Sequence, residues 1–361
     1  MLLFEINHPG HIHLFRKLSQ LLLEQGKPSL FLIKSDPVVE QLAAYYDLPV
    51  VKMGKKGKGL FQKYIFQLRF LWKSVRLARS AKAELGLGVS MTLPMVSKYS
   101  KMHSISFDDD DMAATPVFAK YANKASVIMT PETLAFEHRG DYHITYPGYH
   151  ELAYLHPNRF TPDLSVLDLL QVKADERWFV VRFNAFRAHH DMGEGGMTFE
   201  QKKQLVGHLK KYGKVFISAE GEVDPEFRPM LLPDRPELMH SFLAFASLSV
   251  GESQTMTTEA AVLGTPALKC NTFAGRLSVP NELEQQYGLC YAFQPADYDG
   301  MIKKLDELLS MPNLKAEWLQ RRSRMLKDKM DVTGFLAWFV EGYPKSVQEV
   351  RKNKSIFDWF K

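Results

Sequence analysis

Short apolar runs alternate with amphipathic segments along the first half of the chain. The apolar run at 2–6 predicts a buried strand, and a polar turn separates it from a helix at about 14–25 that ends at Gly26. Further elements are predicted as strands at 29–33, 49–51, 85–89, 103–107 and 126–129 and as helices at 37–46 and 60–81. Strands and helices that alternate with short loops are typical of a doubly wound parallel sheet.

The alternation restarts after the segment 142–157, whose Pro, Gly and clustered Tyr and His residues are typical of a connector. The predicted strands then lie at 178–183, 215–218, 247–251 and 266–270, and the predicted helices at 199–212 and 257–263. A chain of 361 residues is long enough for two domains. The predicted fold class is therefore α/β, with two Rossmann-like doubly wound parallel-sheet domains that face a central cleft.

The domain bounds follow from this restart. We place the N-terminal domain at 1–152 and the C-terminal domain at 153–330. A final helix at 331–345 is unusually aromatic, and such an apolar face must pack on another surface. We expect it to pack back on the N-terminal domain, with 346–361 as a tail.

Composition narrows the class of protein. The two cysteines, Cys270 and Cys290, lie in apolar runs without the paired spacing of a zinc site, so we expect two core thiols. The N-terminus lacks the basic and apolar regions of a signal peptide. No run reaches the roughly 20 apolar residues that span a bilayer. These features predict a cytoplasmic protein.

The net charge of +5 hides an uneven distribution, because the segment 52–82 contains ten Lys or Arg residues and no acidic residue. Apolar residues recur within it at helical spacing, which is typical of a face that packs on a core; they are Phe61, Ile65, Leu68, Trp72 and Val75. We predict that this segment contacts an anionic membrane surface from the inner side. Nucleic-acid binding is not expected, since no base-stacking platform accompanies the charge. The sequence leaves the oligomeric state open.

A hydroxyl-rich turn in the second half gives the clearest indication of a ligand site. An apolar strand leads into Ser253, Gln254 and Thr255, and a helix containing Thr257 opens directly after them. The free N–H groups and positive dipole end of a helix start bind phosphate, and neutral side-chain donors suit a diphosphate. Glu259, further along the helix, is expected to hold the two hydroxyls of a ribose. The alternative is a plain N-cap before a core helix.

Three histidines follow the first strand, in the segment 7–13 (Asn-His-Pro-Gly-His-Ile-His). Open α/β sheets place their ligands at this position. His11 and His13 are candidate general bases, because an imidazole with a pKa near neutrality can take a proton from a hydroxyl. Two alternatives remain open, a metal site that uses these histidines and a hydrogen-bonded structural loop.

A basic loop follows the strand that opens the second half. Arg182 belongs to that strand, and Arg187 and His189 lie in the loop. Arg182 or Arg187 would neutralise a diphosphate leaving group in place of a divalent metal, and His189 is a further candidate substrate contact. The alternative is a solvated loop.

Four consecutive carboxylates, Asp108 to Asp111, follow the strand predicted at 103–107. Adjacent carboxylates repel one another, so they need a cation, a hydroxyl-rich substrate or the amides of a helix start. Asp109 is a catalytic candidate through contact with a sugar or with the catalytic histidine. A negatively charged helix start is the alternative.

Several segments together resemble a known family. They are 8–13 (His-Pro-Gly-His-Ile-His), 148–155 (Gly-Tyr-His-Glu-Leu-Ala-Tyr-Leu), 218–222 (Ser-Ala-Glu-Gly-Glu), 253–266, and 331–333 (Asp-Val-Thr) with the aromatic helix that follows. In this combination the chain resembles the domain-of-unknown-function family 354 of archaea and bacteria. That family is grouped with GT-B enzymes, so the resemblance implies a GT-B-like fold. Glu220, in the third segment, is a candidate substrate contact.

Two enzyme families resemble single segments. Gly10-His11 is similar to the Gly-His of the first loop in lipid-linked N-acetylglucosaminyltransferases of peptidoglycan synthesis. This implies that Gly10 contacts substrate and that His11 is the reactive histidine. The segment 252–259 resembles the nucleotide-binding turn of non-hydrolysing UDP-N-acetylglucosamine 2-epimerases, and 187–191 loosely resembles another loop of those enzymes.

The sequence therefore predicts a metal-independent GT-B-type glycosyltransferase. Its donor would be a nucleoside-diphosphate sugar, with no other cofactor, and its acceptor a lipid-linked molecule or a polysaccharide precursor. The second half would hold the donor and the first half the acceptor. The alternatives are a UDP-sugar 2-epimerase, a metal-dependent hydrolase, and a non-catalytic sugar-nucleotide-binding protein of a polysaccharide pathway.

Overall fold

The chain divides into two compact units. The computed structural model describes residues 1–55, 59–184, 195–221 and 223–361. Unit 1 comprises 1–159 together with 329–361, and unit 2 comprises 160–328. The C-terminal helix and the tail thus belong to the same unit as the N-terminus.

The elements follow one another in simple alternation. The first segment of unit 1 contains β1 (Leu2–Ile6), α1 (Pro9–Glu24), β2 (Ser29–Ile33), α2 (Pro37–Tyr45), β3 (Val50–Lys52), α3 (Leu60–Ser80), β4 (Leu85–Gly88), α4 (Leu93–Lys98), β5 (His103–Phe107), α5 (Pro116–Ala122), β6 (Val127–Pro131), β7 (His143–Tyr146) and α6 (Leu152–Leu155). Unit 2 contains α7 (Ser165–Leu169), β8 (Trp178–Phe183), α8 (Phe199–Leu209), β9 (Lys214–Ala219), α9 (Met239–Phe245), β10 (Leu248–Gly251), α10 (Gln254–Leu263), β11 (Ala267–Cys270), α11 (Ser278–Gln285), β12 (Cys290–Phe293), α12 (Tyr298–Ser310) and α13 (Leu314–Asp328). The chain returns to unit 1 with α14 (Val332–Glu341) and α15 (Lys345–Lys352).

The sheet of unit 1 has seven parallel strands within the described residues, in the order β3-β2-β1-β4-β5-β6-β7. Strand β1 lies at the switch point, where Leu2 pairs with Ser29 on one side and with Leu85 on the other. Strand β7 occupies part of the segment expected to be a connector. That expectation is wrong because β7 is an edge strand in which only alternate residues are buried, so its apolar signal is weak.

Helix α1 begins earlier than the apolar pattern indicated. The side chain of His8 caps the helix by accepting a hydrogen bond from Gly10 N at 3.1 Å, and Pro9 occupies the first turn. Proline is well suited to this position, because its missing N–H needs no partner there. His11 and His13 consequently lie in a helix rather than in a loop.

Helix α3 packs with a different face from the one that the spacing indicated. Phe70, Ser74 and Ala78 are buried, and the small side chains of Ser74 and Ala78 let the helix approach the apolar cluster around Leu3 and Leu32. Most of the predicted stripe is exposed instead: Phe61 at 76%, Leu68 at 37% and Trp72 at 60%. The prediction that this stripe faces the core is therefore wrong for these three residues.

The sheet of unit 2 has five parallel strands within the described residues, in the order β12-β11-β10-β8-β9. Gly251, at the end of β10, lies beside Arg182 of β8 and Lys269 of β11. A Cβ atom on Gly251 would come within 2.5 Å of the carbonyl oxygen of Arg182, so only glycine fits there. The prediction of two doubly wound parallel α/β sheets is confirmed.

The C-terminal helix α14 packs on α1 and α6 of its own unit. Phe335, Leu336 and Phe339 are completely buried, which explains why the helix is so aromatic. Asp331 caps the helix by accepting from Gly334 N and also pairs with Arg159 at 2.6 Å. No helix in the described ranges is both long and apolar enough to cross a membrane.

Candidate functional site

The carboxyl edge of the unit 1 sheet brings together two residues from distant loops. Asp109 follows β5 and His150 follows β7, and Asp109 Oδ2 lies 3.2 Å from His150 Nδ1. Within the described residues, His150 Nε2 and the hydroxyl of nearby Tyr146 are buried without a hydrogen-bond partner. Buried polar atoms are normally paired, so these two atoms mark a place where a polar ligand would be stabilised.

Asp109 and His150 form an ion pair at neutral pH. Burial lowers the pKa of His150, but the charge and hydrogen bond of Asp109, with smaller contributions from Glu151 and Asp108, raise it to about 9. Burial raises the pKa of Asp109, but the charge and hydrogen bond of His150, with a smaller contribution from His11, together lower it. A histidine oriented by a carboxylate, with its second nitrogen free, is the arrangement of an acid–base catalyst.

The other carboxylates of the acidic run have separate environments. Asp108 is buried in an ion pair with Arg139, which also binds Glu137. Burial raises the pKa of Asp108 to about 6 despite the opposing charge of Arg139. Burial, followed by the charges of Asp109 and Asp108, raises the pKa of Asp110 to about 7. Asp110 can therefore exchange a proton near neutral pH.

His11 differs from His150 in both hydrogen bonding and charge. Its Nδ1 accepts a hydrogen bond from Asn7 N at 3.2 Å, so the neutral ring carries its proton on Nε2. Burial, then the charges of His8 and His150, lower the pKa of His11 to about 3. His11 is thus a neutral donor at physiological pH and a weak base.

The structure does not bring His13 to this edge. Its ring is buried in α1, with ring centroids 5.5 Å from Tyr154 and 6.0 Å from Tyr46. This packing position does not support a base role for His13, which stays a prediction. The N–H of Gly10 is used by the His8 cap, so any substrate contact of Gly10 would need another part of its backbone.

Unit 2 presents its own polar edge at the carboxyl ends of β8, β9 and β10. Arg182 donates to Ser218 at 2.7 Å and pairs with the half-exposed Glu220. In the described ranges, three buried atoms at this edge lack a hydrogen-bond partner: Arg182 Nε, Asn184 Oδ1 and Gln254 Nε2. Buried polar atoms are normally hydrogen-bonded, so these two donors and one acceptor indicate that a polar ligand binds at this edge.

Helix α10 starts at this edge. Ser253 is its N-cap and accepts from Met256 N, and the hydroxyl of Thr257 donates to Ser253 O at 2.8 Å. Thr255 is half-buried in the first turn. Ser253 and Thr257 thus stabilise the start of the helix. As at every helix start, the first N–H groups of α10 have no hydrogen-bond acceptor within the helix itself.

Two carboxylates near α10 are buried in contacts within unit 2. Glu259 Oε1 lies 3.0 Å from His240 Nε2, and both side chains are buried. Glu252 is fully buried and accepts from Asn184 N at 2.9 Å and Met197 N at 2.7 Å, with Lys202 3.1 Å away. Glu252 therefore fixes the backbone at Asn184 and Met197. The Oε1 of Glu259 is bound to His240, so the expected ribose contact of Glu259 would have to use Oε2.

The sequence did not single out two residues of these edges. His150 lay in the segment interpreted as a connector, although a histidine four residues after the end of a strand was a usable signal. Lys269 is buried at the end of β11 and donates to Gln254 Oε1, and burial lowers its pKa to about 8. A lysine inside an apolar strand was the corresponding signal. The predicted contacts Arg187 and His189 lie outside the described residues.

Among the described residues, no group of three or more His, Cys, Asp or Glu side chains has the arrangement of a metal site. Cys270 and Cys290 are buried free thiols, and burial raises the pKa of each to about 12.

Comparison with known proteins gives the family. A family model described as a protein of unknown function, DUF354, matches residues 2–292. The chain belongs to this family. No curated protein sequence matches it.

Solved structures give the fold. A candidate UDP-N-acetylglucosamine 2-epimerase from Listeria monocytogenes has a TM-score of 0.67 at 13% identity, covering 96% of this chain and 95% of the other. The spinosyn forosaminyltransferase SpnP has a TM-score of 0.61 at 16% identity, covering 96% and 99%. The 2-epimerase from Neisseria meningitidis bound to UDP-GlcNAc has a TM-score of 0.59 at 11% identity, covering 88% and 93%. This DUF354 protein has the fold of GT-B glycosyltransferases and UDP-GlcNAc 2-epimerases.

Proposed function

We propose that this DUF354 protein is a glycosyltransferase that uses a nucleoside-diphosphate sugar and needs no metal. The observation that carries the proposal is a set of buried polar atoms at the carboxyl edge of the unit 2 sheet, on Arg182, Asn184 and Gln254, that have no hydrogen-bond partner among the described residues. The first N–H groups of α10 and the positive charges of Arg182 and Lys269 suit a diphosphate. Two of the similar proteins are a sugar transferase and an enzyme bound to UDP-GlcNAc, which supports a nucleotide sugar as the ligand.

The acid–base step is assigned to unit 1. The neutral form of His150, oriented by Asp109, takes the proton of the acceptor hydroxyl as that oxygen attacks the anomeric carbon of the donor. The nucleoside diphosphate leaves with the bonding electron pair. His11 donates from Nε2 to a substrate oxygen. The base is thus His150 rather than His11, since the Nδ1 of His11 already has a donor.

Nucleotide binding is tested by thermal unfolding in the presence of UDP, GDP, CDP, dTDP and their common sugar conjugates. One nucleoside diphosphate and its sugar conjugates should raise the melting temperature. A ligand at 100 times its Kd adds about 2.7 kcal/mol to the free energy of unfolding. Arg182→Gln should weaken this shift, whereas Arg228→Gln, an exposed arginine of the same unit, should leave it unchanged. The absence of a shift with every compound would contradict the proposal.

A 2-epimerase is the second candidate, because two of the similar structures are a candidate UDP-GlcNAc 2-epimerase and the 2-epimerase from Neisseria meningitidis, and Asp110 is next in sequence to Asp109 of the ion pair with His150. A carboxyl group with a pKa of about 7 is suited to remove and return the proton at C2 of a sugar. The two candidates differ in their need for an acceptor. Incubation with the bound UDP-sugar alone in D2O, followed by NMR, would give deuterium at C2 for an epimerase and unchanged sugar for a transferase.

A further inference from the structure

Helix α3 presents an exposed apolar stripe that unit 1 does not cover. Phe61, Tyr64, Leu68 and Trp72 are exposed and recur at intervals of three or four residues, so they lie on one face of the helix. From Phe61 to Trp72 the stripe is about 16 Å long, given a rise of 1.5 Å per residue. The opposite face, with Phe70 and Ala78, is the one that packs on the sheet.

Basic side chains border the stripe. Lys63, Arg69, Lys73, Arg76 and Arg79 of the same helix are all exposed. The helix has no acidic residue, and neither has the whole segment 52–82. A solvated helix face in a globular protein normally mixes charges of both signs. A row of aromatic and aliphatic residues flanked only by cations is instead typical of a helix that lies in a membrane interface.

A basic groove continues the surface beyond the end of α3. It has a volume of about 860 Å³, and its lining includes Arg79, Lys82, Lys98 and Lys101, with Glu84 as the one acidic residue that lines it. Tyr99 also lines the groove, and its ring centroid is 6.1 Å from that of Trp72. The groove therefore joins the apolar stripe to a cluster of cations, and cations attract the phosphates of lipid head groups.

The stripe Phe61–Trp72, its flanking cations and this groove together form the α3 face. From their juxtaposition we propose that the α3 face docks on an anionic phospholipid bilayer. The aromatic residues and Leu68 insert at the level of the head groups, and the lysines and arginines contact lipid phosphates. Charge complementarity selects this occupant. Nucleic acid would use the same cations and could stack its bases on the aromatic rings, but it offers no apolar surface for the aliphatic side chain of Leu68.

The test is flotation of the full chain with vesicles of phosphatidylcholine alone and with about 30% phosphatidylglycerol. Binding is expected only to the anionic vesicles at low salt, and 0.5 M NaCl should release it because salt screens the attraction. Arg69→Gln/Arg76→Gln should lower the partition coefficient on the order of tenfold or more, since both cations lie near the lipid. The matched charge control is Lys210→Gln/Lys211→Gln, an exposed pair in unit 2 that should retain binding.

The apolar part is tested separately. Leu68→Ser/Trp72→Ser should also reduce binding about tenfold or more, because it removes buried apolar area at the interface. Phe136→Ser, which changes an aromatic residue of unit 1 that is 73% exposed, should not. Brominated lipid should quench Trp fluorescence in the wild type and in Trp359→Phe but not in Trp72→Phe.

Three outcomes would overturn the inference. They are failure to float with anionic vesicles at low salt, full binding by both double variants, or RNA binding that the arginine variant abolishes while vesicle binding persists. Because the substituted residues are exposed, an unchanged melting temperature identifies variants that still fold. The outcome is independent of the nucleotide screen, so failure of either proposal leaves the other standing.

Discussion

His11 and His150 are imidazoles near the carboxyl edge of one sheet, yet their pKa values lie on opposite sides of neutrality. His150 has an adjacent carboxylate, Asp109, that stabilises its protonated form, and its pKa is about 9. The Nδ1 of His11 accepts a hydrogen bond from the backbone N–H of Asn7. Burial, followed by the charges of His8 and His150, outweighs the opposing charge of Asp109 and lowers the pKa of His11 to about 3. Residue type alone is therefore a poor guide to the acid–base role here.

The pairing of His150 with Asp109 makes the pH dependence of catalysis testable. If neutral His150 is the base, kcat/KM rises with pH up to about 9, where His150 loses its proton. Asp109→Asn removes the anion that raises the pKa of His150. The rising limb of the pH profile of kcat/KM should therefore move to lower pH. A limb at the same pH in Asp109→Asn would contradict this assignment.

A matched pair of substitutions completes that measurement. His150→Gln should reduce kcat by about 10² to 10⁴, the usual contribution of a general base. His143→Gln should change kcat only a few-fold, because His143 is the first residue of β7 and its ring hydrogen-bonds to Thr130 rather than to Asp109 or His150.

At the scale of elements, the edge of unit 2 depends on how β8, β10 and the start of α8 are joined. Glu252 directly follows β10, and its carboxylate accepts from the backbone of Asn184, just past β8, and of Met197, just before α8. Lys202 of α8 supplies the compensating charge. Burial raises the pKa of Glu252, while Lys202 and the two backbone donors oppose this shift. One buried carboxylate thus fixes the backbone after β8 and before α8 at this edge of the sheet.

Glu252→Gln should destabilise the protein strongly. The amide leaves Lys202 without its counter-charge and points a donor at a backbone donor, so we expect a loss of about 3 kcal/mol in the free energy of unfolding. Glu220→Gln, in the half-exposed pair with Arg182, should cost under about 1 kcal/mol. Urea denaturation of both variants measures the difference, and equal losses would show that Glu252 is not the buried anchor.

At the scale of the whole molecule, the two ends of the chain form one unit. Residues 329–361 lie in unit 1 with the N-terminus, and Phe335 of α14 contacts Tyr146, Phe339, Phe357 and Phe360 through ring pairs. Unit 1 therefore cannot complete its core until the last residues of the chain are available.

Phe335→Ala should destabilise unit 1 and leave unit 2 intact. Removal of a fully buried phenylalanine costs about 3–5 kcal/mol through lost burial and the remaining cavity. Hydrogen exchange should accelerate in β1 and β7 but not in β10 and β11. Trp359→Ala, at a site that is 67% exposed, is the control and should change protection little. Equal acceleration in both units would refute this division.

The sequence by itself determined the number and class of the sheets and the presence of a capped helix after β10. That helix begins at Gln254, three residues before the predicted start at Thr257. Apolar runs of strand length, alternating with helices, can be recognised without knowledge of the tertiary structure. This is because parallel strands are buried on both faces and are therefore continuously apolar. The hydroxyl-rich turn was visible for the same local reason, since a helix start needs capping side chains next to it in the chain.

Only the tertiary structure decided which face of α3 is buried, and which histidine pairs with Asp109. Both faces of α3 carry apolar residues, so the choice depends on how small side chains such as Ser74 fit the sheet. His150 and Asp109 are 41 residues apart in the sequence, and parallel strands bring them to one edge. Local sequence patterns do not predict such long-range pairings. The pKa values of His150 and Asp109 depend on this pairing, so they could not be predicted from the sequence either.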